Sequence, residues 1–561
     1  MKIKHIYIFL VIFLIGLVLR FFLLSKFPPS LTIDEINNGY TAFSLLKTGK
    51  DEWGVKLPVI FRSIGDYKPP VLIYFTVPSV FLFGLNEFST RFPVALFSLF
   101  ALPIFYFLSK KYLLKDHPIW VSLLATFFLS TSAWNIVYAR SDFEAVMALT
   151  FVLINITFLY RYVTKGSLID LSLAVFFAFL SAVTYHSNKL FVPLLDLTLV
   201  ALNRSSFQKH VIDNYNKKKL IFLLLTILFV GISIFFLKNY VFGLGAHRAQ
   251  MVFFSLDFEF ERALMDGIRY VGLTMIRLPL LCVFWLKRYL EYFSPNFYLY
   301  SGLELTQTNT PGVGVLSLAL YPFFVIGLFL LFFVKNNHLV NGKNKVFILA
   351  WLLLGFLPAS LANNPQQPLR SLNSSVAVIV ISVIGLYQLF NLIKDKYLKF
   401  IPVFIILFSI LYIFDFARFV DYYLVHYPYE LSEYRQYGWK QMAQFVYPIH
   451  NNYDNVYVDP RFGTIGRNTY GVPHLYFLFY SQYDPAKYQN GTGRQDHATD
   501  FENIHFTEID WSSINKKGNN LYIASPWSFP DIILTDRYII HEEKFLNQQV
   551  GLYAVQNIPK K

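Results

Sequence analysis

Long apolar runs separated by short polar loops fill residues 1–416 of this chain. Runs of about 20 mostly apolar residues predict membrane-spanning α-helices, because that length crosses the hydrocarbon core. Two other apolar stretches, 71–84 and 268–286, contain a proline or arginines and are typical of interfacial or re-entrant helices, unless each belongs to an extra pair of crossings. The pattern predicts a polytopic α-helical membrane protein with about 11 to 13 transmembrane helices. The main predicted spans are residues 5–25, 92–109, 118–138, 142–160, 168–186, 189–202, 219–238, 313–334, 345–361, 373–393 and 399–416.

The pattern changes near residue 417, where polar residues become more frequent and the apolar runs become short. NVYVD (455–459), NLYIAS (520–525) and GLYAVQ (551–556) are typical of β-strands. An amphipathic helix is predicted near 431–447. Two domains are therefore expected. A transmembrane domain covers 1–416, with external loops at 26–91 and 239–312, and a small extracytoplasmic α/β domain covers 417–561.

Basic residues are concentrated in loops between the apolar runs. Because Lys and Arg accumulate in cytoplasmic loops, we expect a cytoplasmic N-terminus and an extracytoplasmic C-terminal domain, in a multi-pass protein of the cell (plasma) membrane. The same clustering accounts for the net charge of +14, so no nucleic-acid partner is expected. Alternating sides along the chain places five basic loops on one side, at residues 109–116, 161–166, 203–219, 334–345 and 394–399.

Overall composition supports this class. Only 15% of the residues are charged, compared with about a quarter in soluble domains. The single cysteine, Cys282, excludes a disulfide bond within the chain. Composition and charge thus indicate a membrane protein, and the candidate chemistry has to be sought among the few ionisable side chains on one side of it.

An acidic pair, Asp34 and Glu35, follows the first predicted span in PPSLTIDEINNGY (28–40). Thr32 and Glu35 have the spacing of a capping box, in which the threonine caps a helix and the glutamate reaches back to it. This pattern explains Glu35 better than Asp34, whose side chain would be free at the second helical position. A catalytic role for the pair stays open beside the capping role.

A lysine lies in the next external cluster, GDYKPPVLIYF (65–75). Pro69 favours a helix start, so Lys68 and its neighbour Tyr67 would lie at a helix N-terminus, the unfavourable end for a cation. A phosphate held by Lys68 and backbone N–H groups would account for this position. The alternative is a lysine that extends toward lipid headgroups.

Further ionisable side chains fall on the predicted external side. Ser141 and Glu144 again have capping-box spacing, which gives Glu144 a structural alternative. Ionisable residues at or near a membrane are candidates for function, and these clusters share one face of the helical bundle. The candidates are Arg140, Asp142, Glu144, His247, Arg248 and Arg370.

A carboxylate facing a phosphate-binding lysine is suited to glycosyl transfer from a polyprenyl-phosphate-linked sugar. The lipid tail needs a groove among apolar helices, and the phosphate needs Lys or Arg. A carboxylate would take the proton of the acceptor hydroxyl as the new C–O bond forms. Cations would stabilise the leaving lipid phosphate. One displacement of this kind inverts the anomeric centre.

Several segments carry a family resemblance. They are GLVLRFFLL with SLTIDE, GDYKPPVLIYF with STRFPVALF, YARSDFEA, YHSNKLFVP, FSPNFYLY with PGVGVLSL, QQPLRSLN and HYPYELSEYRQYGWKQ. On these segments the chain resembles the membrane glycosyltransferases of the GT-C fold. It is most similar to the bacterial branch of the superfamily of protein O-mannosyltransferases and aminoarabinose transferases. The resemblance implies a transferase that uses a polyprenyl-phosphate-linked sugar donor and a protein, glycolipid or cell-wall acceptor.

The resemblance also implies roles for individual residues. Asp34 would be the catalytic carboxylate, and Lys68 would contact the donor phosphate. Asp142 and Glu144 would form a second acidic position in the cavity. Relatives with a carboxylate directly before the lysine pair it with a histidine at a metal, but Tyr67 occupies that position here. No metal ligand is therefore assigned, and a divalent cation stays open. Looser matches for donor or metal contacts are Arg370, His247 and Arg248.

Two alternatives remain at this stage. A flippase or transporter of lipid-linked sugars would have a similar number of helices and similar basic loops. A related oligosaccharide ligase or oligosaccharyltransferase would use a diphosphate-linked oligosaccharide and need a larger cavity. The large external loops and the C-terminal domain favour the enzyme over the transporter.

Overall fold

The computed structural model describes residues 2–244, 253–254, 258–271, 273–300, 312–334, 341–363, 366–463, 471–491, 499–512, 517–530 and 538–556. By contacts within the chain, two compact units are distinguished. The first comprises residues 1–22, 94–304 and 308–420, and the second comprises residues 23–93, 305–307 and 421–561. The division into a transmembrane domain (1–416) and a C-terminal domain (417–561) stays a prediction.

Helices account for most of the described chain before residue 421. Four of them are labelled here: α1 (Lys2–Phe21), α2 (Ile33–Thr48), α3 (Pro70–Phe83) and α4 (Glu87–Leu108). The further helices up to residue 421 are Ile119–Thr131, Ala133–Ala139, Glu144–Lys165, Leu168–Ala182, Asn188–Leu202, Arg204–Lys217, Lys219–Phe236, Phe258–Val271, Leu273–Glu291, Pro295–Tyr300, Tyr321–Phe333, Gly342–Ser360, Ser374–Lys396 and Ile401–Asp421.

The predicted membrane protein of α-helices, with a small C-terminal α/β region, is confirmed. In the described part of the chain, seven helices are long and apolar enough to cross a membrane, or nine if each of two bent pairs is one span. The pair Ile119–Thr131 and Ala133–Ala139 is bent by 49°, within the stretch predicted as one span at 118–138. Three shorter apolar helices, Pro70–Phe83, Leu168–Ala182 and Tyr321–Phe333, fall short of that length.

Close packing in the first unit depends on small residues. The helices Tyr321–Phe333 and Ser374–Lys396 approach each other through Gly327 and Gly385. A Cβ atom on Gly327 would lie 2.1 Å from the carbonyl oxygen of Ile381, and one on Gly385 would lie 2.0 Å from that of Phe323. Larger side chains would force the two backbones apart, as is typical of helix pairs in membranes.

The second unit combines α2, α3 and the start of α4 with a C-terminal α/β region. Two short strands, β1 (Phe61–Arg62) and β2 (Tyr67–Lys68), form an antiparallel hairpin in the loop between α2 and α3. The C-terminal strands are β3 (Asn455–Val458), β4 (Ile504–Phe506), β5 (Asn520–Ala524), β6 (Ile539–Lys544) and β7 (Val550–Gln556). The C-terminal helices are Tyr427–Leu431, Trp439–Val446, Pro473–Tyr480 and Pro485–Gln489.

The C-terminal strands form a five-stranded sheet in the order β4-β3-β5-β7-β6. β3 is parallel to β4 and β5, whereas β7 is antiparallel to β5 and β6. The central strand β5 is buried along its whole length, which fits a strand covered on both faces. The three strands predicted from NVYVD, NLYIAS and GLYAVQ are confirmed as β3, β5 and β7.

One hydrophobic core joins α2 to the C-terminal region. Ile36 and Tyr40 of α2 are fully buried in the same cluster as Trp439, Tyr476 and Val456. Gly39 allows this contact, because a Cβ atom there would lie only 2.6 Å from the Phe479 ring. Residues separated by some 400 positions in sequence therefore stabilise one another, and this core holds the buried face of α2 in place.

Candidate active site

The first turn of α2 sets the direction of the acidic pair. Thr32 is the N-cap, and its hydroxyl oxygen accepts a hydrogen bond from the Glu35 N–H at 3.3 Å. Glu35 Oε2 accepts one from the Thr32 N–H at 2.8 Å. The predicted capping box is confirmed. Asp34, the second residue of the helix, is exposed, whereas Glu35 is completely buried.

Two buried arginines hold the Glu35 carboxylate. Arg91 Nε donates to Oε1 at 2.8 Å, and Arg435 Nη2 donates to Oε2 at 2.7 Å. Burial by itself raises the pKa of the Glu35 carboxyl, but the two guanidinium groups and the hydrogen bonds outweigh it and lower the pKa below its usual value. These contacts favour a structural role for Glu35 over the predicted catalytic one.

Lys68 is presented by the β1–β2 hairpin. Lys68 pairs with Phe61 and Tyr67 pairs with Arg62, and Gly65 in the connecting turn has a φ of +61° that suits glycine. The Lys68 side chain is buried, whereas that of Tyr67 is half-buried. The hairpin thus directs the lysine inward, toward α2.

The Lys68 amine contacts the start of α2 directly. Its Nζ lies 2.9 Å from Asp34 Oδ1, donates to Asn38 Oδ1 at 3.1 Å and donates to the Asp34 carbonyl oxygen at 3.2 Å. The amine side of this ion pair is buried, with 6% of the lysine side chain exposed, and the carboxylate side is open, with 55% exposed. The alternative in which Lys68 extends toward lipid headgroups is wrong, because its amine is directed at Asp34 and Asn38.

Helix α3 explains why the lysine needs an anionic partner. Pro69 is the N-cap of α3 and Pro70 is its first residue, so the helix begins where the sequence predicts. Lys68 therefore lies beside the positive end of a helix dipole, which disfavours a cation. The Asp34 carboxylate offsets this. The carboxylate that the sequence predicts to face the lysine is therefore in direct contact with it, at 2.9 Å.

Three of the other predicted site residues lie in the first unit. Arg140 is buried and donates to the carbonyl oxygens of Leu19 and Phe22 at 3.0 and 2.8 Å, which fixes the end of α1. Asp142 is buried, and Glu144 is the first residue of the helix Glu144–Lys165. The predicted Ser141–Glu144 capping box is wrong, because Phe143 is the N-cap and no side chain caps this helix.

The last predicted residues are placed as follows. Arg370 is partly buried, in a turn that precedes the helix Ser374–Lys396. His247 and Arg248 lie outside the described residues. Within the described ranges no group of three or more His, Cys, Asp and Glu side chains has the geometry of a metal site. Metal dependence stays open.

Sequence reasoning missed two arginines and an asparagine that the site uses. Arg91 and Arg435 both lie in segments that carry the family resemblance, STRFPVALF and HYPYELSEYRQYGWKQ, but without an assigned role. An arginine within a short apolar or aromatic segment is a signal for a buried ion pair, although it does not identify the partner. Asn38, one helical turn after Asp34, could have been found from the i, i+4 spacing on α2.

Comparison with known proteins adds similarities in structure. No protein-family profile and no curated protein sequence matches the chain. The chain is similar to the oligosaccharyltransferase of Archaeoglobus fulgidus tethered with an acceptor peptide, with a TM-score of 0.49 and 11% identity. That match covers 86% of this chain and 63% of the other, so this chain spans less than two thirds of the length of the oligosaccharyltransferase.

The chain is also similar to ArnT from Cupriavidus metallidurans. In the apo state of ArnT the TM-score is 0.48 at 13% identity, and the match covers 98% of this chain and 97% of ArnT. For ArnT bound to undecaprenyl phosphate the TM-score is 0.43 at 13% identity, with 99% and 98% covered.

Proposed function

We propose that this protein is a membrane glycosyltransferase. It moves a sugar from a polyprenyl-phosphate-linked donor to an extracytoplasmic acceptor, with inversion of the anomeric centre. Asp34 serves as the general base and Lys68 binds the donor phosphate. The observation that carries the proposal is the ion pair of a buried lysine with an exposed aspartate, at 2.9 Å, at the adjoining N-termini of α2 and α3.

The ion pair suggests how donor binding prepares the base. A phosphate that approaches Lys68 competes with Asp34 for the same amine, and charge-assisted hydrogen bonds to phosphate are strong. The N-terminus of α3 adds backbone N–H groups and a positive dipole on the same side. Once the phosphate takes over the amine, the Asp34 carboxylate no longer shares the charge of Lys68, which favours its accepting a proton.

The reaction then balances in one displacement. The acceptor hydroxyl gives its proton to the Asp34 carboxylate while its oxygen forms a bond to the anomeric carbon. The bond from that carbon to the phosphate oxygen breaks, and its electron pair leaves with the lipid phosphate. Lys68 stabilises the charge that develops there. Asn38 holds the lysine amine from α2, at 3.1 Å.

Further polar and charged side chains are proposed to complete the site. Arg140, Asp142, Glu144, Tyr67, Arg370, His247 and Arg248 are the candidates for further contacts with the donor, the acceptor or a divalent cation. The acceptor is a protein, a glycolipid or a cell-wall polymer. The proposed location is the plasma membrane, with the Asp34–Lys68 pair and the C-terminal region outside the cytoplasm.

The decisive assay measures free polyprenyl phosphate released by the purified protein in lipid nanodiscs. The protein is given a polyprenyl-phosphate-linked sugar with and without an extract of cell-envelope acceptors, and a diphosphate-linked oligosaccharide serves as the second donor. Release of lipid phosphate that depends on acceptor supports the proposal. Movement of the intact donor across a vesicle membrane without release would indicate a transporter, and use of the diphosphate donor alone would indicate an oligosaccharide ligase.

A further inference from the structure

A second acidic residue of the first external loop, Glu52, is buried against α2. Only 3% of Glu52 is exposed. Its Oε1 accepts a hydrogen bond from Asn37 Nδ2 at 2.9 Å, and its Oε2 accepts one from Thr41 Oγ1 at 2.7 Å. Asn37 and Thr41 are one helical turn apart, so a single carboxylate ties the loop to one face of α2.

This network continues from Glu52 into the hairpin that carries Lys68. Asn37 is buried, and its Oδ1 accepts a hydrogen bond from the buried Ser63 hydroxyl at 2.9 Å. Ser63 also closes the hairpin, because its N–H donates to the Asp66 carbonyl oxygen at 2.8 Å. Lys68 lies on β2, two residues after Asp66. A continuous path of buried hydrogen bonds thus runs from Glu52 through Asn37 to Ser63 and the hairpin.

We propose that Glu52 is a positioning residue for Lys68. By fixing the Asn37 side chain, it holds Ser63 and the β1–β2 hairpin against α2, and it thereby sets the Lys68 amine on Asp34 and Asn38. The functional part of this proposal rests on the proposed glycosyltransferase. Glu52 itself is assigned no contact with donor or acceptor.

The chemistry of the network permits either protonation state of Glu52. Burial raises the pKa of the Glu52 carboxyl to about 7, with nearby Asp51 raising it further and the bonds from Thr41 and Asn37 opposing this. When Glu52 is protonated, its O–H can donate to the Thr41 hydroxyl oxygen while the other oxygen still accepts from Asn37. Asp51 on the same loop and Tyr40 on α2 are ionisable groups that face it.

This two-state network makes Glu52→Gln the informative substitution. The glutamine carbonyl oxygen can accept from Asn37, and its amide can donate to Thr41, as the protonated acid does. Glu52→Gln should therefore keep the hairpin in place, whereas Glu52→Ala should release it. Ser63→Ala removes only the last link in the path and is the variant least expected to affect folding. Ser44→Ala is the matched control, because its hydroxyl ties α2 to the Lys50 carbonyl oxygen of the same loop without joining this network.

The primary readout is the acylation rate of the Lys68 amine in folded protein without donor, measured by mass spectrometry of the peptide. Exposed Lys56 is the internal reference. We expect Glu52→Ala and Ser63→Ala to raise the Lys68 rate at least about five-fold relative to Lys56, and Glu52→Gln and Ser44→Ala to leave it within about two-fold. In transfer assays, Glu52→Ala and Ser63→Ala should raise KM for the donor. The pH profile of the transfer rate in Glu52→Gln should match that of the wild type.

Two results would overturn the proposal. An unchanged Lys68 acylation rate in both Glu52→Ala and Ser63→Ala would show that the network does not hold the lysine. Loss of transfer in Glu52→Gln with Lys68 still protected would show that Glu52 acts in the chemistry itself. If the wild-type protein transfers no sugar, the proposed function fails, but the acylation rates still decide whether Glu52 positions Lys68.

Discussion

At the residue scale, the account depends on one ion pair with unequal exposure. A buried lysine is costly unless an opposite charge accompanies it, and Asp34 provides that charge at 2.9 Å. The exposed side of the pair leaves the carboxylate within reach of water or substrate. An arrangement needed only for stability would gain little from half-exposure of the acid, because exposed ion pairs contribute at most about 1 kcal/mol.

The first prediction concerns the charge of Lys68. Lys68→Ala removes a charged hydrogen bond to the donor phosphate, so kcat/KM for the donor should fall about 10- to 100-fold. Lys68→Arg keeps the charge and should recover part of the loss. Steady-state kinetics with varied donor measures both. Unchanged kcat/KM in Lys68→Ala would remove the lysine from the donor site.

The second prediction concerns pH and Glu52. The folded-state pKa of about 7 exceeds the ordinary value of 4.5, so the folded protein retains a proton that the unfolded chain loses between these values. Stability from this group is therefore complete below pH 4.5 and declines as pH rises toward 7. In detergent, the melting temperature of the wild type relative to that of Glu52→Gln should fall as the pH rises across this range. A constant difference between the two proteins would contradict the raised pKa.

Part of this site can be predicted from sequence and part cannot. Helix-start patterns in short stretches of the chain predict the capping box and the phosphate-binding role proposed for Lys68, whereas the catalytic role proposed for Asp34 comes from the family resemblance. The partners of Glu35 do not, because Arg91 and Arg435 are 56 and 400 residues away from it. The direct contact of Lys68 with Asp34 also requires the hairpin geometry. Strands of two residues are too short to produce a recognisable sequence pattern.

At the scale of elements, α2 is the part on which the site is built. Its first two turns carry Asp34 and Asn38 toward Lys68, while Ile36 and Tyr40 are buried in the core that includes the C-terminal strands. Glu35 links the start of α2 to the C-terminal region through Arg435. The same arginine also donates to the Ser30 carbonyl oxygen just before the helix. Alignment of Asp34 therefore depends on residues that are remote in sequence.

The third prediction tests this anchoring. Glu35→Gln leaves two buried arginines with reduced compensation and should lower the free energy of unfolding by about 3–5 kcal/mol. The control is Lys544→Ala, which breaks the exposed pair with Glu542 in the same unit and should cost less than about 1 kcal/mol. Thermal unfolding in detergent compares them. Equal losses would show that the Glu35 cluster is no more important than a surface pair.

Helix positions were the easiest elements to predict, and helix starts the hardest. Apolar runs such as 189–202 and 373–393 correspond closely to Asn188–Leu202 and Ser374–Lys396. The capping pattern at Ser141–Glu144 fails even though the same spacing at Thr32–Glu35 succeeds. Side-chain oxygens cap a helix only where the chain enters it in the right direction, and tertiary packing decides that direction.

At the scale of the whole molecule, the grouping of residues was not visible in the sequence. Residues 23–93 and 421–561 belong to one compact unit although more than 300 residues separate them. Hydrophobic patterning predicts helices and strands one at a time, but it does not identify which of them share a core. The C-terminal region is therefore proposed to support the catalytic loop, in addition to any contact with an acceptor.

The fourth prediction concerns orientation in the membrane. Cys282 is the only cysteine, so Cys282→Ser provides a background for single-cysteine labelling. Lys217→Cys lies in a predicted cytoplasmic loop, and Lys544→Cys lies at an exposed position at the end of β6. A membrane-impermeant maleimide should label Lys544→Cys in intact cells and Lys217→Cys only after lysis. The reverse pattern would place the Asp34–Lys68 pair on the cytoplasmic side and contradict the proposed acceptor.

The most direct test of the central claim is acceptor-dependent sugar transfer by Asp34→Asn. The asparagine preserves size but cannot take a proton, and loss of a general base typically costs 10²- to 10⁴-fold in rate. We expect kcat to fall at least about 100-fold, with the protein still folded and inserted. Transfer by Asp34→Asn at close to the wild-type rate would contradict the assignment of Asp34 as the base.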